Sequence, residues 1–253
     1  MSSLHTNPDP VLGGMTKRIK CPTCKQSILY FCYHCVKLVG LEPEKVPNVS
    51  LPVSLDIIKH EKELDSKSTA IHAKLLAPAD TTIHSFPSDY PEYPKDGSTL
   101  LLFPTEGAKT LDQVDTSKFK RLVVIDGTWR QAKTMCRLSP SLDRLPKVKI
   151  AEQKTTFWRF QNLDEHYLAT IEAIYHFYRE YHLSLYHQPT HQYDDLLFFY
   201  KFFYDRIQRE YRSQPEKPFC HRHRPGYIQY EGEGKEMEEK KEEDNAEKEG
   251  TKD

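Results

Sequence analysis

Three apolar runs interrupt an otherwise polar chain. "PVSLDIIKH" (52–60), "STLLLFPTE" (98–106) and "RLVVIDG" (121–127) are rich in Val, Ile, Leu and Phe, residues that suit a pleated, well-covered surface, so each predicts a strand. Their apolar positions run together instead of alternating, which predicts a parallel sheet covered on both faces. The period then changes. In "HYLATIEAIYHFYREY" (166–181), Leu168, Ile171, Ile174, Tyr175 and Tyr178 recur at spacings of three and four, gathering on one helical stripe. "DDLLFFYKFFYDRIQREY" (194–211) does the same through Leu196, Phe199, Tyr200, Phe203 and Ile207, with Asp194 as the expected N-cap. Both aromatic stripes are read as core and not as base-stacking platforms.

Strands that give way to helices predict one α/β domain over 49–215, a mainly parallel sheet with helices on both faces. Its flanks are of another character. Residues 1–17 are rich in Pro, Gly and Ser, and 231–253 are almost pure Glu and Lys with no aromatic anchor after Tyr230. Neither flank offers enough apolar surface to fold alone, so disorder is expected in both, with a basic segment opening the last stretch, 216–253.

Charge sharpens this division. The net charge is −1, but the acidic tail sets eleven carboxylates against five lysines, which leaves the first 230 residues at +5. A modestly basic body permits an RNA partner without requiring one. "KPFCHRHRP" (217–225) is the most compact basic patch, and a solvated surface explains it as readily as an RNA contact. No apolar stretch approaches the ~20 residues that span a bilayer, and the N-terminus lacks the pattern of a secretory signal. A soluble intracellular protein is expected.

In a reducing compartment, close cysteine pairs point to metal or redox chemistry. "CPTCKQSILYFCYHC" holds Cys21, Cys24, Cys32 and Cys35 as two C-x-x-C pairs with a seven-residue spacer, right for a short hairpin that returns the second pair to the first. Four thiolates close a tetrahedral Zn²⁺ site with no open position, so a structural zinc ribbon is expected over 18–48. Cys136 and Cys220 stand alone and are read as ordinary buried residues.

The third strand carries the candidate chemistry. Asp126 ends it, Gly127 allows a turn, Thr128 stands where an N-cap belongs, and a helix starts at or near Trp129. Ligands of open α/β sheets bind beyond the carboxyl ends of the strands. Asp126 or Thr128 alone would be explained by helix capping. A carboxylate, a hydroxyl and an indole together, with Arg130 and Lys133 following, predict a crevice that takes a ligand.

These residues, D-G-T-W, resemble the D-x-T-W signature of the DTW-domain family, the tRNA-uridine aminocarboxypropyltransferases. The likeness extends to "KHEKELDSKSTAIHAKLLAP" (59–78), "LLFPTEGA" (101–108) and the Thr-x-Glu-Ala block in "LATIEAIYHF" (168–177), and an N-terminal cysteine cluster is usual in that family. "STAIHAKLLAP", "TTFWRF" and "LLFFYKFFY" are similar to the eukaryotic type 1 subgroup, while Glu61 and Gln161 depart from the commoner proline and basic residue. The resemblance implies a SPOUT-like fold related to the knotted α/β class. It also implies transfer of the 3-amino-3-carboxypropyl group of S-adenosylmethionine to N3 of a D-loop uridine, at position 20 of tRNA, with release of 5′-methylthioadenosine.

On this resemblance Asp126, Thr128 and Trp129 are the catalytic candidates, with Asp126 either taking the N3 proton or pairing with the donor's cationic groups. Pro104, Thr105, Trp129, Thr170 and Glu172 are the candidates for holding the donor. Lys67, Thr69, Arg130, Lys133 and Arg159 are the candidates for RNA. The implied partners are tRNA, S-adenosylmethionine and a structural Zn²⁺, with no membrane and no obligate protein partner, in nucleus, cytoplasm or both. Two other readings keep some of these features: a methyltransferase of the knotted class, and a zinc-ribbon RNA-binding factor without catalysis.

Overall fold

The computed structural model describes residues 1, 4–157, 165–214 and 228. Arg159, Gln161, Cys220, the basic stretch 217–225 and the acidic tail lie outside them. The chain divides into two units, the first comprising Met1–Thr155 and Glu165–Phe202, the second Thr156–Asp164 and Phe203–Asp253. Of the second unit the described part is mainly the latter half of the last helix.

The first unit opens with helix α1 (Asp9–Leu12). Leu12 is fully buried and Thr6 nearly so. The His5 ring stacks on His191 at 3.7 Å, and its backbone N–H donates to Asp194 Oδ2 at 2.8 Å. One leucine and one backbone hydrogen bond thus belong to a segment whose average composition is that of a loose tail. Two small antiparallel pairs follow, β1 (Ile19–Lys20) with β2 (Ser27–Ile28), and β3 (Phe31–Cys32) with β4 (Lys37–Leu38). Each C-x-x-C turn ends on a residue of left-handed backbone, Lys25 at φ 62° and Val36 at φ 48°. That conformation is costly for a β-branched side chain, so the turn around Val36 is held by its surroundings and not by local preference. Phe31 is buried and packs edge-on against Phe199 and His72.

The main sheet is built from β5 (Ser54–His60), β6 (Thr81–Phe86), β7 (Thr99–Leu102), β8 (Arg121–Asp126) and β9 (Lys147–Val148), in the order β6-β5-β8-β7-β9 and parallel throughout. Helix α2 (Ile71–Leu76) follows β5, α3 (Trp129–Leu138) and α4 (Pro140–Asp143) follow β8, and α5 (Thr170–Tyr186) and α6 (Phe198–Arg212) close the chain. Ile58, Leu101, Val123 and Ile125 present one face of the sheet to Ala132 and Met135 of α3 and Leu142 of α4. Leu55, Ile57, Leu100, Leu122 and Val124 point to the other face and are all buried, with α5 lying along β8 and α2 against β6. Full burial of such a side chain contributes roughly 1.5–3 kcal/mol, so the continuous apolar runs are stabilised from both sides. The α/β fold with a parallel sheet agrees with the pattern read from the chain.

The element boundaries differ in instructive places. The run 98–106 forms a strand only over Thr99–Leu102, because Pro104 cannot donate to a ladder. β6 was not read from the sequence because it is an edge strand of mixed polarity, and β9 because it is two residues long. The helix expected from 166 starts at Thr170, after an extended Ala169. Asp194 does not cap α6: it opens a 3-10 turn, Asp194–Leu197, and its carboxylate accepts from His191 Nδ1 (2.9 Å) and the Tyr175 hydroxyl (2.9 Å). Leu196, Phe199 and Tyr200 are fully buried, as the aromatic stripe required. Among the described residues no helix is long and apolar enough to cross a membrane.

Candidate active site

The carboxyl ends of β7 and β8 open into a cavity of about 470 Å³. Leu102, Phe103, Val124, Ile125 and Leu168 give it apolar walls, and Thr110, Lys149, Glu152, Gln153, His166 and Thr170 supply the polar groups. The size and the balance of apolar wall to few polar groups are those of a small-molecule site. Trp129 lines it, with Phe103 at 5.8 Å and the Tyr167 ring edge-on at 5.0 Å. The indole is brought there because Thr128 starts α3 at the strand end. The Thr128 hydroxyl accepts from Gln131 N–H at 3.3 Å, and Gln131 Oε1 accepts the Thr128 N–H at 2.7 Å, a reciprocal cap that fixes the first turn.

Gly127 also lines the cavity. Its need is close approach and not left-handed backbone: a Cβ would stand 3.2 Å from Gln131 Oε1 and 3.4 Å from the His60 Cβ. An added methyl group would press on the acceptor that closes the cap.

Asp126 is placed differently from the sequence-based expectation. It is 3% exposed, does not line the cavity, and both of its oxygens accept from hydroxyls, Ser68 Oγ on Oδ2 at 2.6 Å and Thr170 Oγ1 on Oδ1 at 2.8 Å. Burial raises its pKa, against the two hydroxyls and the Lys59 charge, which favour the ionised form. The side chain ties the end of β8 to the loop after β5 and to the first turn of α5. Thr170 lines the cavity, and the carboxylate that accepts its hydroxyl does not.

The other candidates divide in the same way. Trp129, Pro104 and Thr170 line the cavity; Thr105 and Thr128 do not, and both are exposed. Glu172 is buried, does not line the cavity, and accepts from Thr155 Oγ1 and from the Ala169 N–H, which closes the start of α5. Thr69, a candidate for RNA in the sequence, is also buried, and its hydroxyl accepts the Ile171 N–H at 3.2 Å, a cap supplied from a distant loop. Lys67, Arg130 and Lys133 are exposed. Arg159 lies outside the described residues. Sequence reading missed Lys149, Glu152, Gln153 and His166 on the wall and Ser68 behind it. None belongs to a motif of fixed spacing, and Ser68 is one hydroxyl in the run "SKST".

The cysteines converge as their spacing predicted. The sulfurs of Cys21, Cys24, Cys32 and Cys35 all lie within 4.8 Å of one another, and Cys24 and Cys32 are 3.4 Å apart. Tetrahedral coordination at Zn–S of ~2.3 Å separates sulfurs by about 3.8 Å, so the set fits one such ion. The Cys24 backbone N–H holds the Cys21 thiol down at about 6, whereas burial pushes Cys35 up to about 12. A divalent cation among them reverses that penalty.

Comparison with known proteins follows the same outline. The model of the DTW domain matches residues 29–208. The chain is 35% identical to tRNA-uridine aminocarboxypropyltransferase 1 of Mus musculus over 79% of its own length and 80% of that protein. It is equally similar to the Homo sapiens protein of that name, over 76% and 77% of the two chains. Identity to tRNA-uridine aminocarboxypropyltransferase 2 of Drosophila melanogaster is 34% over about half of each, 53% and 55%. No solved structure matches. With its parallel sheet and strand-end cavity inside the matched stretch, the chain belongs to the DTW-domain family.

Proposed function

We propose that this chain transfers the 3-amino-3-carboxypropyl group of S-adenosylmethionine to N3 of a D-loop uridine in tRNA, at position 20, and releases 5′-methylthioadenosine. The observation that carries this reading is the cavity at the ends of β7 and β8, lined by Trp129, in a chain 35% identical over 79% of its length to a protein named tRNA-uridine aminocarboxypropyltransferase 1. The sulfonium is already a good leaving group. The protein's task is to select which of the three carbons on sulfur is attacked, and to orient it. The apolar walls suit the adenine, and Lys149 and Glu152 offer opposite charges to the carboxylate and ammonium of the donor. Trp129 provides a stacking surface, and stacking on a base is worth roughly 1–3 kcal/mol. A loop uridine is the easier acceptor because its base can turn outward without breaking a pair.

The fold is read as SPOUT-like, a reading with which the parallel order β6-β5-β8-β7-β9 is compatible. The four thiolates hold a structural Zn²⁺. The test is to incubate protein, S-adenosylmethionine and unmodified tRNA and to weigh the nucleosides. A uridine heavier by an aminocarboxypropyl group, with methylthioadenosine released in equal amount and both lost in Trp129→Ala, supports the reading. A methylated base would assign the protein to methyl transfer instead, and RNA binding with no product would leave a binding factor.

A further inference from the structure

We propose that a second cavity, which continues the first along α5, seats the tRNA loop that presents the acceptor uridine, with Arg179 holding one of its phosphates; the inference rests on the function proposed above. This cavity has a volume of about 710 Å³ and shares Thr110, Ala151 and Gln153 with the first. It is large enough for a nucleotide. One helix lines both spaces: Thr170 and Ala173 face the first, and His176, Glu180, Leu183 and His187 face the second. Their spacings of three and four keep these residues on one side of α5. Ile171, Ile174, Tyr178 and Tyr181 take the other side and are buried.

Arg179 also lines the second cavity. Its guanidinium lies over the Tyr175 ring at 5.3 Å, and among the described residues no carboxylate pairs with it. An arginine stacked on a ring and lacking a carboxylate keeps donors for a phosphate. The other titratable groups of the wall do not compete for it. Glu180 accepts the Ala151 N–H at 2.9 Å, and burial raises its pKa. His176 is half-buried and is pushed down to about 4 by burial and by the Arg179 charge, so it is neutral near pH 7. Asp112 and His187 are exposed. Two helical turns beyond Arg179, on the same flank of α5, Tyr186 is 63% exposed, with the His182 ring tilted against it at 4.5 Å. A cation without a carboxylate and an exposed aromatic ring are the groups that take the phosphates and unstacked bases of a single strand.

The outline favours a polymer over a free nucleotide. From Ala173 to His187 the helix runs ~21 Å at 1.5 Å per residue, more than one nucleotide needs. The far end is bordered by exposed residues, Leu183, Tyr186 and His187, so a strand can continue out of the cavity. At the near end, Thr110 and Gln153 belong to both spaces, and a base turned inward there meets the donor.

Binding of unmodified tRNA by the full chain, followed by fluorescence anisotropy over a series of salt concentrations, tests this with wild type, Arg179→Gln, Arg179→Lys and Tyr186→Ala. Arg179→Gln should weaken binding by about tenfold. It should also make the slope of log affinity against log salt shallower by about 0.7, the share of one single-strand phosphate. Arg179→Lys should keep the slope. Tyr186→Ala should weaken binding by about fivefold or more with the slope unchanged, and Tyr186 is too exposed for its replacement to act through folding. Affinity for S-adenosylmethionine, measured by calorimetry, should not change in any of the three. In turnover Arg179→Gln should raise KM for tRNA and leave kcat in place, because the phosphate contact is made before and during transfer alike. Wild-type affinity and slope in Arg179→Gln would overturn the proposal. So would tight binding of uridine 5′-monophosphate alone that Arg179→Gln abolishes, since the cavity would then serve a free nucleotide. Binding of tRNA through Arg179 with no methylthioadenosine released would uphold the RNA seat and sink the proposed transfer.

Discussion

Asp126 shows how much a single side chain's surroundings matter. As read in the chain, it was a carboxylate at the mouth of a site; in the structure it is a buried acceptor for Ser68 and Thr170. Burial raises its pKa, so the folded state keeps that proton to a higher pH than the unfolded chain does. Its contribution to stability is then full below about 3.9 and declines as pH rises through the folded value. Asp126→Asn removes this titration and can still accept one hydroxyl and donate to the other. Thermal melts of the two proteins should therefore diverge in favour of Asn as pH goes from about 4 to about 7. Asp126→Ala should be the worse variant at every pH, by about 1–3 kcal/mol, because it leaves both hydroxyls without an acceptor. A pH-independent difference between wild type and Asn would refute this account.

At the scale of elements, the site depends on where α3 and α5 begin. The start of α3 is written locally: Thr128 and Gln131 cap it from within three residues, and the turn, cap and helix were all legible in "DGTWRQ". The start of α5 is not local. Its Ile171 N–H is satisfied by Thr69, 102 residues earlier in the chain, and Thr170 reaches back to β8. Thr69→Val keeps the shape and removes the acceptor, and an unmet buried donor costs roughly 1–3 kcal/mol. Chemical denaturation should show that loss, with tRNA affinity changed only as far as folding is. A variant of full stability with weakened tRNA binding would return Thr69 to the RNA surface.

Over the whole molecule, the cysteine cluster and the sheet are joined through a common core, since Phe31 beside Cys32 packs on His72 and Phe199. A metal bound by four thiolates contributes its binding energy to folding. Removing it with a strong chelator should lower the melting temperature of the entire first unit in one transition, and zinc added back should restore it. Cys32→Ser should reproduce the effect and be insensitive to chelator. A melt unchanged by chelation would show that the four thiols close their turns without an ion.

What the chain determined by itself is whatever depends on short range and repetition. Apolar runs specify buried parallel strands because their residues suit no other surface, three-and-four spacing specifies the face of α5, and two C-x-x-C turns bring four sulfurs together because each turn is made locally. What only the tertiary structure decided is which side of a residue its chemistry faces. Asp126 and Trp129 are three positions apart, yet one closes the wall from behind and the other lines it, because the strand's alternation turns the carboxylate toward α5 while the capped helix turns the indole into the space beyond. The pairing of Glu152 with His166 has the same origin. No spacing rule joins residues that far apart in the chain, and their contact exists only once the stretch after β9 and the start of α5 have been brought together.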